Sequence, residues 1–384
     1  MSNLYGSAIL TVAGESREVA VALSLKEGIL QVRMPADGAA IEHLLAIWGC
    51  DDEQLELTDV VIVTPNGRLS AKRLDELFLK SCSCNSPRTP RAPLSCTLQW
   101  ARDSVDTCIL ELVPKSTLVF EHSPRVGHWN EMLLTSVLPP EIAPFDGSVG
   151  GLTYSVSVSK DVLSFQSAFP IARLRHRIIT AVSVLQGAPA GLIASYEPGT
   201  LCIGGPRPQR YQRSHALYAS PRDVAALFRC LLDYAINLSE NDFRHWRKAT
   251  TFFNEGKSSY AVLDVRVTNL FVFLEMYDGS NTLSANTLER MLKVSRNDAK
   301  LLTKVRNKLI HDRHTLEEAV HSALRELRKP SPVCEGTTDL GLRCFRSLEA
   351  ASQKGVHFWA TLCELINCFV ARQVRWTGAR RSYS

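Results

Sequence analysis

The chain has 384 residues, 45% of them hydrophobic and 22% charged, with a mean hydropathy of −0.04. That balance excludes a collagen-like, low-complexity or mostly disordered chain, and the length is too great for one simple core, so two domains are expected. The formal net charge is +5, a mild basic bias that permits a polyanionic partner such as RNA without requiring one.

The opening segment MSNLYGSAIL lacks a basic stretch followed by a long apolar run, so no secretory leader is expected. The most apolar stretch near the other end, VHFWATLCELINCFVA, is interrupted by Glu364 and Asn367 and is shorter than the roughly 20 residues a membrane span needs. It reads as a buried helix, and no membrane partner is expected. Eleven cysteines, odd in number and scattered, fit a reducing cytoplasm better than a disulfide framework, so a cytoplasmic location is expected. Cys82, Cys84, Cys96 and Cys108 do not have the spacing of a structural zinc site, and no histidine follows at ligand distance. No metal and no cofactor is expected.

In chain order, SAILTVAG, REVAVALSL and ILQVRMP are short β-branched runs separated by Gly, Glu and Lys. LELTDVVIVTPNGRLS alternates and then turns at Pro-Asn-Gly. KSCSCNSPRTPRAPLSC reads as a loop, and CTLQWARD and TCILELVPKSTLVFEH return to strand. SVGGLTYSVSVSKDVLSF is a strand pair, FPIARLRHRIITAVSVLQG a helix ending at Gly187, and GLIASYEPGTLCIGG strand again. GGPRPQRYQRSH breaks every pattern, carries Arg207, Arg210 and Arg213, and reads as a linker.

Beyond it the periodicity becomes helical. Ser220 before Pro221 opens one helix, and a second stops at Gly256. In a third, Leu263, Val267, Leu270 and Leu274 form an apolar stripe. Ser295-x-x-Asp298 starts the next helix, and Thr315-x-x-Glu318 is a capping box for the one after it. FRSLEAASQKGVHFWATLCELINCFVARQV supplies a last long helix with a weak point at Gly355. The expected class is α+β: a β-rich N-terminal domain over residues 1–205, a linker over 206–216 and an all-α helical domain over 217–378. No phosphate-binding glycine loop and no nucleophile elbow occurs.

The chemistry-bearing stretch is LLTKVRNKLIHDRH, residues 301–314. On a helix at about 100° per residue, Leu301, Leu302, Val305 and Leu309 share a buried side. Asn307 and His311 share the opposite side with Lys304 nearby, and Arg306 lies at the edge of the apolar stripe, roughly 140° from His311. One helix does not easily bring an arginine and a histidine so placed onto one small target. Two copies crossing about a twofold axis do, and a homodimer is expected. On spacing alone an ordinary solvated helix face is the commoner reading.

RNKLIH resembles the R-N-x-x-x-H motif of the HEPN superfamily, helical bundles that include many metal-independent ribonucleases. The flanking NLFVFLEMYDG, NTLERMLKV and DAKLLTKVRNKLIHD resemble it too, most of all the helical domain of ApeA-type bacterial anti-phage proteins. The likeness covers about residues 216–375, and for the β-rich half it is one of architecture only. It implies an HEPN-like bundle and a toxin-like endoribonuclease of abortive infection, a hydrolase acting on host or phage RNA, tRNA included. It also implies a homodimer through that domain and a phage-derived trigger. The residues implied are Arg306, Asn307 and His311 as catalytic and Glu275 as support facing the motif helix; by charge alone, Lys304 and Lys308 are candidate RNA-binding cations.

Metal-free RNA cleavage needs a base for the 2′-hydroxyl, a cation for the phosphate and a proton for the leaving 5′-oxygen. An imidazole titrates near pH 6.5 and serves as base or acid, a guanidinium binds phosphate oxygens in pairs, and an amide orients either. The expected products are a 2′,3′-cyclic phosphate and a 5′-hydroxyl, and DNA should resist this route. Glu275 alternatively reads as a solvated carboxylate or the partner of a lysine, and the two lysines as a solvated face. His314 reads as a surface residue, and His245 with Trp246 as packing in preference to base stacking. Two other functions compete: a non-catalytic RNA- or nucleotide-binding module beside a β-rich recognition domain, and a dimerisation bundle.

Overall fold

The computed structural model describes residues 4–12, 15–24, 29–35, 55–64, 67–85, 107–114, 118–122, 130–204, 216–217, 220–258, 261–279, 283–328 and 340–375. An antiparallel β region precedes a helical region, an α+β arrangement.

The first strands are β1 (Leu4–Val12), β2 (Glu15–Ser24), β3 (Ile29–Pro35), β4 (Leu55–Thr64), β5 (Gly67–Asn85), β6 (Thr107–Pro114) and β7 (Leu118–His122). They pair in the order β4-β1-β2-β3-β6-β5, and β5 pairs back onto β4, closing six strands into a barrel. Alternate residues fill it: Leu10, Val21, Leu23, Leu30, Val32, Ile62, Leu110 and Leu112 are all buried. In β4 the alternation slips between Leu57 and Val60, where Asp59 takes a left-handed φ of 48° and the register with β1 shifts. This β-bulge turns the strand without taking an apolar residue out of the core.

The predicted loop from Lys80 begins later than expected, because β5 runs on to Asn85 along β6, with Cys84 opposite Cys108 in register. Long-range pairing with β6 overrides the Ser- and Cys-rich composition of this stretch. The rest of that loop, CTLQWARD and the basic linker with Arg207, Arg210 and Arg213 lie outside the described residues.

From β7 the ladder continues through β8 (Asn130–Thr135), β9 (Phe145–Val149), β10 (Leu152–Ser159), β11 (Val162–Ser167), β12 (Leu192–Glu197) and β13 (Thr200–Ile203), in the order β7-β13-β12-β8-β11-β10-β9. Helix α1 (Arg175–Gln186) precedes β12 and ends at Gly187 with φ 65°, a left-handed cap as its sequence predicts. The helical region comprises α2 (Val224–Asn237), α3 (Glu240–Glu255), α4 (Leu263–Asp278), α5 (Ala285–Leu292), α6 (Arg296–Ile310), α7 (Leu316–Arg328) and α8 (Lys354–Gln373). Ser220 accepts from the Arg222 amide at the head of a 3-10 turn leading into α2. Ser239, Ser284 and Ser295 cap α3, α5 and α6, and the Thr315–Glu318 box forms at the head of α7.

The last long helix is shorter than predicted. Phe345–Glu349 forms a 3-10 turn, and α8 starts at Lys354, so Gly355 lies in its first turn and is not an internal weak point. Glu317 of α7 explains the start, since its carboxylate accepts from the backbone amides of Lys354 and Gly355. It satisfies orphan donors of α8 from another element, which no local pattern announces. Asp264 of α4 does the same for Leu316 at the head of α7, at 2.9 Å.

Two apolar cores form. One fills the barrel and extends to Ile193, Leu201 and Ile203. The other runs from Met132 to Val374 and joins β8, β10 and β11 to the helices. The joint is aromatic: Tyr154 stacks on Phe165 at 5.3 Å, and Phe228 of α2 meets both edge-on. Division of the chain by linker and division by packing are therefore different, because β8, β10 and β11 bury their face against the same core as α1 and α2. Among the described residues no helix is long and apolar enough to cross a membrane.

Within the helical core Lys257 is 1% exposed, its Nζ hydrogen-bonded to Asn367 Oδ1 and 3.7 Å from the centre of the Phe253 ring. Burial, opposed weakly by the Cys363 thiol, pushes its ammonium down to about 7. Between that value and the unfolded one the unfolded chain holds the proton and the folded chain does not, so stability rises with pH. We expect chemical denaturation to show a gain of about 1 kcal/mol per pH unit around pH 8 to 9, absent in Lys257→Met. Equal slopes in the two proteins would refute the assignment.

Candidate active site

Helix α6 is held at its N-terminal end. Ser295 Oγ accepts from the Asp298 amide at 3.1 Å, and Asp298, fully buried, accepts from the amides of Arg343 and Cys344. This cap also ties the helix to the segment before α8 and fixes its roll. Ala299, Leu301, Leu302 and Val305 are fully buried, and Leu309 is half-buried.

That roll alters the expected place of Arg306. Ala299 belongs to the buried face, and at about 100° per residue Arg306 projects between Ala299 and Leu302, not at the stripe's edge. Arg306 is 6% exposed. Its Nε donates to Glu275 Oε1 of α4 at 2.6 Å, and its Nη2 reaches the same oxygen. Glu275 thus faces the motif helix and pairs with its arginine, not with a lysine. The Arg306 Nη1 donates to Asn307 Oδ1 at 3.0 Å.

A guanidinium only donates, so the Asn307 atom that faces it is the oxygen, and the amide Nδ2 is directed away from it. Asn307 is exposed, and so is His311, which ends the helix and donates its backbone N–H to the Asn307 carbonyl at 2.8 Å. The structure therefore brings Asn307 and His311 together at the surface, with the buried Arg306 and the half-buried Glu275 paired behind the amide. It does not place the Arg306 side chain beside the His311 imidazole at the surface of one chain.

Lys304 and Lys308 both reach Glu326 of α7, each at 2.6 Å. These two ammonium groups hold the Glu326 carboxyl down at about 2. The carboxylate stays ionised until pH falls through that value, so the trio keeps one net positive charge throughout the neutral range. At this partly solvated site Glu326→Gln is expected to change stability by under about 1 kcal/mol, as read by thermal denaturation.

His314 departs from the expected surface position: it is half-buried, its amide donates to the Lys308 carbonyl, and its Nδ1 is buried. The αL conformation of Arg313, φ 57°, folds the chain back there. Trp246 is 5% exposed, edge-on to Tyr234, while the exposed His245 ring bonds the Met276 carbonyl, so the pair packs α3 on α4. Cys82, Cys84 and Cys108 lie on β5 and β6, Cys96 lies outside the described residues, and no group of three metal-ligating side chains occurs among those described. Comparison with family models, curated proteins and solved structures finds no match for this chain.

Proposed function

We propose that the chain is a metal-independent endoribonuclease of the HEPN type, acting as a homodimer in bacterial anti-phage defence. The observation that carries this reading is the exposed Asn307–His311 pair at the end of α6, with the asparagine amide held by the buried Arg306, itself paired with the half-buried Glu275. His311 takes the proton from a ribose 2′-hydroxyl. The 2′-oxygen attacks phosphorus, the bond to the 5′-oxygen breaks, and a proton returns to that oxygen from the partner subunit's His311. Asn307 Nδ2 donates to a non-bridging phosphate oxygen. Arg306 acts through Asn307 and is a positioning residue, a narrower role than the direct phosphate clamp its motif implies.

The test is cleavage of single-stranded RNA by the purified full chain, with a phage lysate as trigger. Products should end in a 2′,3′-cyclic phosphate and a 5′-hydroxyl, and 2′-deoxy nucleotides at the cut sites should abolish cutting. Cleavage of the deoxy substrate would overturn the mechanism.

If two imidazoles serve one bond, activity per total protein of a one-to-one mixture of wild type and His311→Ala should fall to about one quarter of the wild-type value after subunit exchange. A fall to one half would mean that each chain works alone. The burial of Arg306 favours one competing reading, a non-catalytic RNA-binding module, which predicts RNA binding without cyclic-phosphate ends.

A further inference from the structure

Two basic runs far apart in sequence, Arg173 to Arg177 and Arg244 to Lys248, meet where α1 packs on α3. On α3 the exposed positions include Arg244, Arg247 and Lys248, which lie within about 100° of one another on the side opposite Trp246 and Phe253. Arg173 and His176 are exposed on the neighbouring element. Partial burial of its ring, and then the Arg247 and Arg175 charges, hold His176 below its usual range.

The local acids are engaged elsewhere: Glu240 pairs with the buried Arg177, Glu197 with Arg175, and Asp242 with the Ser239 hydroxyl. Arg173, Arg244, Arg247 and Lys248 make no ion pair among the described residues. The other flank of α3 meets the helix that carries Glu275, where the His245 ring bonds the carbonyl of Met276, one residue beyond Glu275.

We infer that this face of α1 and α3 is a cationic track for the phosphate backbone of single-stranded RNA, leading past Met276 to Asn307 and His311. The inference rests on the ribonuclease reading for its choice of polyanion. Neighbouring side chains three and four apart on a helix stand about 5–6 Å from one another, a step that lets successive cations meet successive phosphates of an extended strand. Such contacts are sequence-independent and release counterions, so they bind strongly at low salt and weakly at high salt.

The experiment measures binding of a fluorescent single-stranded RNA of about 20 nucleotides to the full chain carrying His311→Ala, across a salt series. Adding Arg244→Ala, Arg247→Ala and Lys248→Ala should weaken binding at least about tenfold at moderate salt. It should also flatten the slope of log affinity against log salt by about 2, from roughly 0.7 per lost phosphate contact.

A control triple, Arg33→Ala, Arg68→Ala and Lys72→Ala, removes the same charge from exposed barrel positions and should change affinity by less than about twofold. Unchanged binding in the first triple, or an equal loss in the control, overturns the track. If the first triple fails to fold by circular dichroism, Arg247→Ala and Lys248→Ala alone should each flatten the slope by about 0.7, and no change in either refutes the proposal. Because binding is read in a protein that does not cut, absence of cleavage by wild type sinks the nuclease reading without touching this result.

Discussion

On the proposed nuclease reading, His311→Ala is expected to lower the rate of RNA cleavage by about 10²–10⁴-fold, the span a positioned acid or base contributes, while the chain stays folded. The side chain is exposed and follows the last residue of α6, so its removal opens no cavity and unpairs no buried partner. Surface changes of this kind alter stability by about 0.5 kcal/mol or less. Single-turnover cleavage with thermal denaturation alongside reads both effects. Full activity in a well-folded His311→Ala protein would remove the histidine from the chemistry, and the helix face would then be a solvated surface.

Arg306→Ala acts by a different route. Arg306 and Glu275 side chains are 7% and 16% exposed, so truncating one leaves the other charge uncompensated in a largely desolvated place. Loss of one member of a buried pair costs about 3–5 kcal/mol, read as a large fall in the denaturant midpoint. Replacing both, Arg306→Met with Glu275→Leu, keeps the volume apolar and should restore most of that stability. The double variant then separates packing from chemistry: it folds, but the Asn307 amide has lost its clamp. Cleavage should drop about tenfold or more through kcat, with KM changing less. A stable double variant with normal kcat would show that the guanidinium serves the fold alone.

The two variants also place different demands on the motif. Arg306, Asn307 and His311 stand together in sequence, yet only the last two reach the surface. Six adjacent residues thus divide between a buried electrostatic anchor and an exposed pair. Reading the motif as three equivalent groups around a phosphate would have missed the division.

Much was legible because its causes are local. Ser295 and Asp298 announce the start of α6, Thr315 and Glu318 that of α7, and Gly187 the end of α1. Each depends on a hydrogen bond or a left-handed φ within a few residues. The α4 stripe was equally clear, since Val267, Leu270 and Leu274 are fully buried. Short β-branched runs found β1 to β3, and alternation found β4, for the same reason. The extension of β5 to Asn85, the barrel closure through β4 and β5, and the start of α8 set by Glu317 all rest on partners tens of residues away.

The amino-acid sequence by itself determined that strands precede helices, where α2, α6 and α7 begin and α1 and α3 end, and that Arg306, Asn307 and His311 share one helix. Only the tertiary structure decided which of them face outward. The roll of α6 is set by Asp298 binding the segment before α8 and by Glu275 across from Arg306, and neither contact is visible within the few residues that specify a helix. Periodicity shows which residues share a side of a helix, but the neighbouring elements decide how far round that side is buried.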